Sequence, residues 1–304
     1  MICNNETHSP LTDFGTFVPK RVLSEDARTK FISVEGTFKN STDCAVVVVE
    51  KKPFNKELYS DIFGSTTTLK ETFHNDIYSS YTGSLAPTSN DITTTVIYPA
   101  TEKHIEKYLF RPLYMVTETP QVYKEVTEPF LATQQFSLEW VYNILAHKKE
   151  AERVIFEDPD ADVGFLLLPD MKWDTKQLEN LHVLSVCHKH GIRSIRDLRR
   201  GHLPLLRNIR DKVTGILQAK FNISPHSLRA YLHYQPSYYH LHVHFSAITY
   251  DAPGIQTERA HLIDQVISNI ELMDDYYDRA VLNYVVKEGT PLHKALKEAG
   301  VLKV

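Results

Sequence analysis

The chain has 304 residues, 42% of them hydrophobic, 24% charged and 11% aromatic, an ordinary globular composition for one large domain or two of usual size. A net charge of −4 and a pI near 6.4 exclude a global basic field able to hold long nucleic acid, so any nucleotide ligand should be short and gripped locally. Three widely spaced cysteines, Cys3, Cys44 and Cys187, make no CxxC or zinc-finger spacing and argue against a disulfide framework.

The opening "MICNNETHSPLTDF" lacks a basic start and an apolar run, so it does not read as a signal peptide. The longest apolar runs, Ala45–Val49 and Phe165–Leu168, are strand-sized, far from the roughly 20 residues of a membrane helix. The expectation is a soluble intracellular protein with no membrane partner, cytoplasmic, with nuclear entry left open.

In chain order, "KFISVEGTF", "CAVVVVEKKPF" and "DITTTVIYP" are rich in β-branched residues and read as strands. "ATEKHIEKYLF" follows as a short helix with Ile105, Tyr108 and Leu109 on one side. "RPLYMVTETPQVYKEVTEPF", with three prolines and no clear period, reads as a connector. This divides the chain into an N-terminal β-rich domain over 1–110 and a second domain over 111–304.

In the second domain, Ser137 is a candidate N-cap for a helix carrying Val141, Ile144 and Leu145. "ERVIFEDPDADVGFLLLP" reads as two strands around an Asp/Pro turn. Leu178, Leu181, Leu184 and Cys187 suggest a helix ended by Gly191. Leu206, Ile209, Val213, Ile216 and Leu217 mark a longer one, with Pro204 in its first turn. "SLRAYLHY" and "YYHLHVHFSAITY" form an antiparallel hairpin, and a last helix after Thr257 carries Ile263, Val266, Ile267 and Ile270. Paired strands interrupted by helices make the fold class α+β with an antiparallel sheet.

The hairpin holds the chemistry. On a strand, His240, His242 and His244 share one face, about 6.6 Å apart, while Leu241, Val243 and Phe245 take the other. A polar face that happens to be histidine is the bland reading. Zinc is the serious rival, because His-x-His on a strand can converge on a metal, although residues 226–250 contain no Asp or Glu to orient the ligands. The third reading is attack on phosphorus by a neutral imidazole whose other nitrogen is held by a hydrogen bond, with neighbouring imidazoles and an arginine on the phosphate oxygens. That chemistry needs no metal and no cofactor.

The run His240-Leu241-His242-Val243-His244-Phe245-Ser246 resembles the His-φ-His-φ-His-φ-φ signature of the histidine-triad nucleotide hydrolases and transferases, with Ser246 in the last φ position. "YLHYQPSYYHLHVHF", "PDMKW", "GIRSIRDL", "HLPLLRNI", "APG…ERAHL", "FHNDIYSSY" and "YPATEKHIEKYL" resemble the scavenger mRNA decapping enzyme family, from about residue 73 to 262. The resemblance implies metal-free hydrolysis of 7-methylguanosine-capped dinucleotides and short capped RNA fragments, giving 7-methyl-GMP and a nucleoside diphosphate or diphosphate-ended oligomer.

It implies His242 as nucleophile through a phosphohistidine, His240 as support, and His233, His244, Ser237, Tyr238, Lys172, Arg259 and Lys107 around phosphate. Arg259 is expected at the start of the last helix. Trp140 would stack on the cationic methylated base. Glu150 would accept from the guanine N1–H and amino group, with Asp170 and Met171 beside the base. Asn75, Tyr78, Lys107 and Tyr108 would close over the ligand from an N-terminal lid domain exchanged between the subunits of a homodimer.

Two alternatives stay open: a triad hydrolase of other dinucleoside polyphosphates, and a cap-binding protein without catalysis. The arginines of "IRSIRDLRRGHLPLLRNIRDK" read as a basic solvated face, with an RNA-tail contact as the sharper reading.

Overall fold

The computed structural model describes residues 11–133, 138–171, 173 and 175–303. Ser137 and Lys172 lie outside the described residues, as does Cys3; Cys44 and Cys187 are free thiols. The fold is α+β, in two compact units, Met1–Arg111 and Pro112–Val304. No helix among the described residues is long and apolar enough to cross a membrane.

The N-terminal unit contains β1 (Phe17–Asp26), β2 (Phe31–Phe38), β3 (Cys44–Lys51), β4 (Thr68–Asn75), β5 (Tyr78–Ser84) and β6 (Ile92–Ile97). An antiparallel sheet runs in the order β1-β2-β3-β6, and helix Glu102–Tyr108 contributes Ile105 to a core with Leu23 and Val46. β4 and β5 form a separate ribbon in which every residue is exposed. The ribbon therefore has no buried face, and a buried face is what produces the apolar alternation by which strands are read from sequence.

The C-terminal unit contains β7 (Leu113–Glu118), β8 (Phe156–Asp158), β9 (Phe165–Pro169), β10 (His182–Cys187), β11 (Leu228–His233), β12 (His242–Ala247), β13 (Ala260–Leu262) and β14 (Leu282–Lys287). Six of them make an antiparallel sheet in the order β13-β11-β12-β10-β9-β8, and β7 pairs with β14. On one face Phe165, Leu167, Val183, Val243 and Phe245 join the main core. Helices Leu203–Phe221 and Ile263–Leu272 cover that face with Leu206, Ile209, Val213, Val266 and Ile270. The opposite face carries His242 and His244 beside a smaller core of Val141, Ile144, Leu166, Leu168 and Val186 under helix Glu139–Leu145. The sheet is buried on both sides, and the histidines sit where its second layer is thin.

Three expectations need correction. Leu178–Cys187 is not a helix: after a short 3-10 turn at Leu178–Asn180 it is β10, a central strand. A strand buried on both faces shows no period of two, and its apolar residues fell by chance at helical spacing. The connector at 111–130 is structured, with β7 at its start and helical turns from Pro120 to Thr133. Arg259 is not at a helix start; it lies in the turn before β13, four residues ahead of helix Ile263–Leu272, which is itself followed by β14 and helix Pro291–Glu298.

The arginines of the arginine-rich stretch are paired with acidic side chains, several of them at the solvent-exposed surface. Arg193 pairs with Asp197, Arg199 with Asp278, Arg207 with Glu271, Arg210 with Asp264, and Arg196 with Glu118 in the interior.

Candidate active site

Antiparallel pairing of β11 with β12 sets Tyr231 opposite His244, which brings His233 of β11 to the same face as the row on β12. Ring centroids of His242 and His244 are 5.1 Å apart, closer than the strand rise alone gives because the rings lean together, and those of His233 and His244, on neighbouring strands, are 4.1 Å apart. His240 stands just before β12, and its ring turns elsewhere: Nε2 donates to the Cys187 carbonyl at 2.8 Å, with Tyr142 and His190 at its edges.

The His240 backbone carbonyl lies 2.8 Å from His242 Nδ1. A carbonyl can only accept, so the His242 ring proton is on Nδ1 and the Nε2 lone pair is free. Burial keeps the ring neutral, with the pKa lowered to about 4. His233 is lowered by burial and by the Arg259 charge to about 3, and His244 is held well below its ordinary value by burial and the neighbouring imidazoles. The result is a neutral imidazole with a fixed tautomer.

Tyr238 stacks on His242 at 3.9 Å and 17°, and the Trp140 ring meets Tyr238 edge-on at 4.9 Å. Trp140 is thus one tyrosine away from His242. Of the two tryptophans, Trp173 is core, its indole N–H donating to the Gln177 carbonyl, while Trp140 is 45% exposed. Glu150 pairs with Arg153, whose guanidinium also donates to the Pro169 carbonyl at 3.0 Å. Arg153, which sequence reasoning passed over, therefore ties Glu150 to the loop of Asp170 and Met171, where Met171 is fully open to solvent at 84%. Arg259 donates to Ser237 Oγ at 3.0 Å and its backbone carbonyl accepts from Tyr234, so the arginine is fixed at the mouth of the 234–239 turn.

Asn75 and Tyr78 face each other across the β4–β5 turn, and Lys107 Nζ lies 5.4 Å from the Tyr108 ring at the end of its helix; these four belong to the N-terminal unit. The remaining site residues belong to the C-terminal unit, apart from Lys172, which is outside the described residues.

His233, His242 and His244 bring three ring nitrogens within 4.8 Å of one another, a grouping that by count could take a metal ion. The Arg259 guanidinium acts on all three rings, and among the described residues no carboxylate belongs to the cluster.

The comparisons agree with this geometry. The family model described as scavenger mRNA decapping enzyme, N-terminal, matches residues 12–111, and that described as its C-terminal binding part matches residues 139–260. A protein of Sus scrofa named m7GpppX diphosphatase is 45% identical over 302 residues, covering 97% of this chain and 89% of its own. A protein of the same name from Ascaris suum is 41% identical over 96% of this chain and 97% of its own, and one from Schizosaccharomyces pombe is 35% identical over 88% and 90%. Likeness at this level over nearly the whole chain, with both family models matched, places the chain in the scavenger mRNA decapping enzyme family.

Proposed function

We propose that this protein hydrolyses 7-methylguanosine cap dinucleotides and short capped RNA fragments. The observation that carries the reading is the His242 ring, neutral and locked by the His240 carbonyl so that Nε2 presents its lone pair. Nε2 attacks the phosphorus attached to 7-methylguanosine, an N–P bond forms, and the P–O bond to the next phosphate breaks to release a nucleoside diphosphate or a diphosphate-ended oligomer. Water then cleaves the phosphohistidine to 7-methyl-GMP. Arg259, Ser237, His233 and His244 take the phosphate oxygens, and Lys172 and Lys107 add cationic charge. The base stacks on Trp140 and is read by Glu150, whose pairing pattern suits guanine and not adenine.

Product analysis with a 7-methylguanosine-capped dinucleotide in excess chelator tests this. Undiminished turnover yielding 7-methyl-GMP, with a preference for the methylated cap over the unmethylated one, is expected. Turnover that stops in chelator, or equal rates on unmethylated dinucleoside polyphosphates, overturns it. Tight cap binding with no turnover would favour a sequestering role instead.

The N-terminal unit is proposed as a lid exchanged between the two chains of a homodimer, bringing Asn75, Tyr78, Lys107 and Tyr108 to the ligand. Support comes from the β4–β5 ribbon, where Leu69, Phe73, Ile77, Tyr78 and Tyr81 are all solvent-exposed, an apolar surface that a second copy would cover. The particle in solution should have about twice the 35.0 kDa chain mass, and a monomer at micromolar concentration would overturn the assembly.

A further inference from the structure

His244 has a partner that the histidine row does not contain. His182, the first residue of β10, is 3% exposed and lies on the same sheet face as His242 and His244, because His182 pairs with Ser246 and Leu184 with His244. Its Nε2 is 3.1 Å from His244 Nδ1, with the rings stacked at 5.4 Å. On its far side His182 Nδ1 is 3.7 Å from Asp170 Oδ1, and the Asp170 backbone N–H donates to the His182 carbonyl at 2.9 Å. The outer nitrogen of His244, Nε2, is buried without a hydrogen-bond partner among the described residues. A carboxylate, two imidazoles and one open nitrogen thus form a line that ends in the site.

We propose that His182 is a positioning residue that stores the proton His244 gives and takes back during the reaction, with Asp170 holding the charge. This rests on the reading of the site as a phosphohistidine hydrolase. A second proton on the pair is better placed on His182, which faces a carboxylate, than on His244, which faces His233, His242 and the Arg259 charge.

In the resting state His182 carries protons on both nitrogens, and neutral His244 accepts at Nδ1 and carries its proton on Nε2. As His242 Nε2 forms its bond to phosphorus and the P–O bond breaks, the His244 Nε2 proton goes to the departing phosphate oxygen. The His182 Nε2 proton moves to His244 Nδ1 at the same time. His244 Nε2 is now a base. When water attacks the phosphohistidine, its proton goes to His244 Nε2 and the Nδ1 proton returns to His182. The N–P bond electrons return to His242, and the starting state is restored. One proton leaves with the nucleoside diphosphate and one comes from water, so the cycle balances.

The test compares the unaltered full-length chain with His182→Phe and His182→Gln on two substrates carrying the same 7-methyl-GMP group. One is the capped dinucleotide and the other the p-nitrophenyl ester, whose leaving group needs no proton. With the dinucleotide, kcat should fall about 100-fold or more in both variants, the scale of losing one proton-transfer partner, with affinity for a non-cleavable cap analogue within about three-fold. With the ester, the burst of nitrophenol should stay within about five-fold of the unaltered chain while labelled phosphohistidine accumulates, since only the water step still needs the relay.

Dinucleotide turnover within about three-fold of the unaltered chain overturns the relay alone, as does an equal loss of burst and turnover on the ester. If His182→Phe does not fold, His182→Gln, which keeps a donor toward His244 but cannot pass a proton, carries the comparison. Failure of both to fold makes His182 structural and overturns the relay. An unaltered chain that cleaves neither substrate overturns the phosphohistidine reading itself.

Discussion

A His242→Asn chain should bind a non-cleavable cap analogue within a few-fold of the unaltered chain and lose at least about 10⁴-fold in kcat, as expected when a covalent nucleophile is removed and only binding and charge stabilisation remain. The Asn side chain is shorter, yet its amide N–H₂ still reaches toward the carbonyl at His240, so the strand should keep its place although Tyr238 loses the ring it stacks on. What disappears is the lone pair aimed at phosphorus. Single-turnover experiments with label on the phosphate next to 7-methylguanosine should show no protein-bound label. Retained turnover above about one-hundredth of the original would mean that another ring attacks, and His244, with its outer nitrogen open, would be the residue to examine.

The sequence made His242 legible because strand alternation and local backbone contact are both short-range. The His242 ring and the carbonyl that fixes its tautomer are two residues apart. The fourth imidazole was hidden for the opposite reason. His182 meets His244 across 62 residues of chain, through a strand that read as a helix. Register, which decides that His182 faces the site and Val183 the main core, is a property of pairing and leaves no mark on a segment buried on both faces. Arg153 was lost inside the run "HKKEAER", where a clamp between Glu150 and the Pro169 carbonyl looks like any solvated charge. The β4–β5 ribbon was missed because it has no buried face to pattern.

The connector read at 111–130 failed on a buried charge, and the same charge gives the largest expected effect on stability. Glu118, the last residue of β7, is fully buried, and Arg196 donates to it at 2.7 Å from inside the arginine-rich stretch. The same guanidinium donates to the Tyr277 and Ala280 carbonyls at 2.6 and 2.8 Å, while Thr127 donates to the other Glu118 oxygen at 2.6 Å and the Tyr234 hydroxyl to the first. One arginine thus ties β7, the segment before β14 and the residue that opens the 234–239 turn. Arg196→Met leaves the buried carboxylate without its counter-charge and two carbonyls without their donor, so the C-terminal unit should lose about 3–5 kcal/mol, read as a fall in Tm on the order of 10 °C. Replacing both charges, Arg196→Met with Glu118→Leu, removes the uncompensated carboxylate but still strands the carbonyls and the Tyr234 hydroxyl. The double variant should therefore recover only part of the loss. Full recovery would mean that the carbonyls find other donors. A loss below about 1 kcal/mol in the single variant would mean that the pair is held together by its surroundings and contributes little itself. Because Tyr234 leads directly into Ser237 and Tyr238, a loosened Glu118 should also raise KM for the capped dinucleotide before the unit unfolds, an effect that a distant core defect such as Leu206→Ala would not produce.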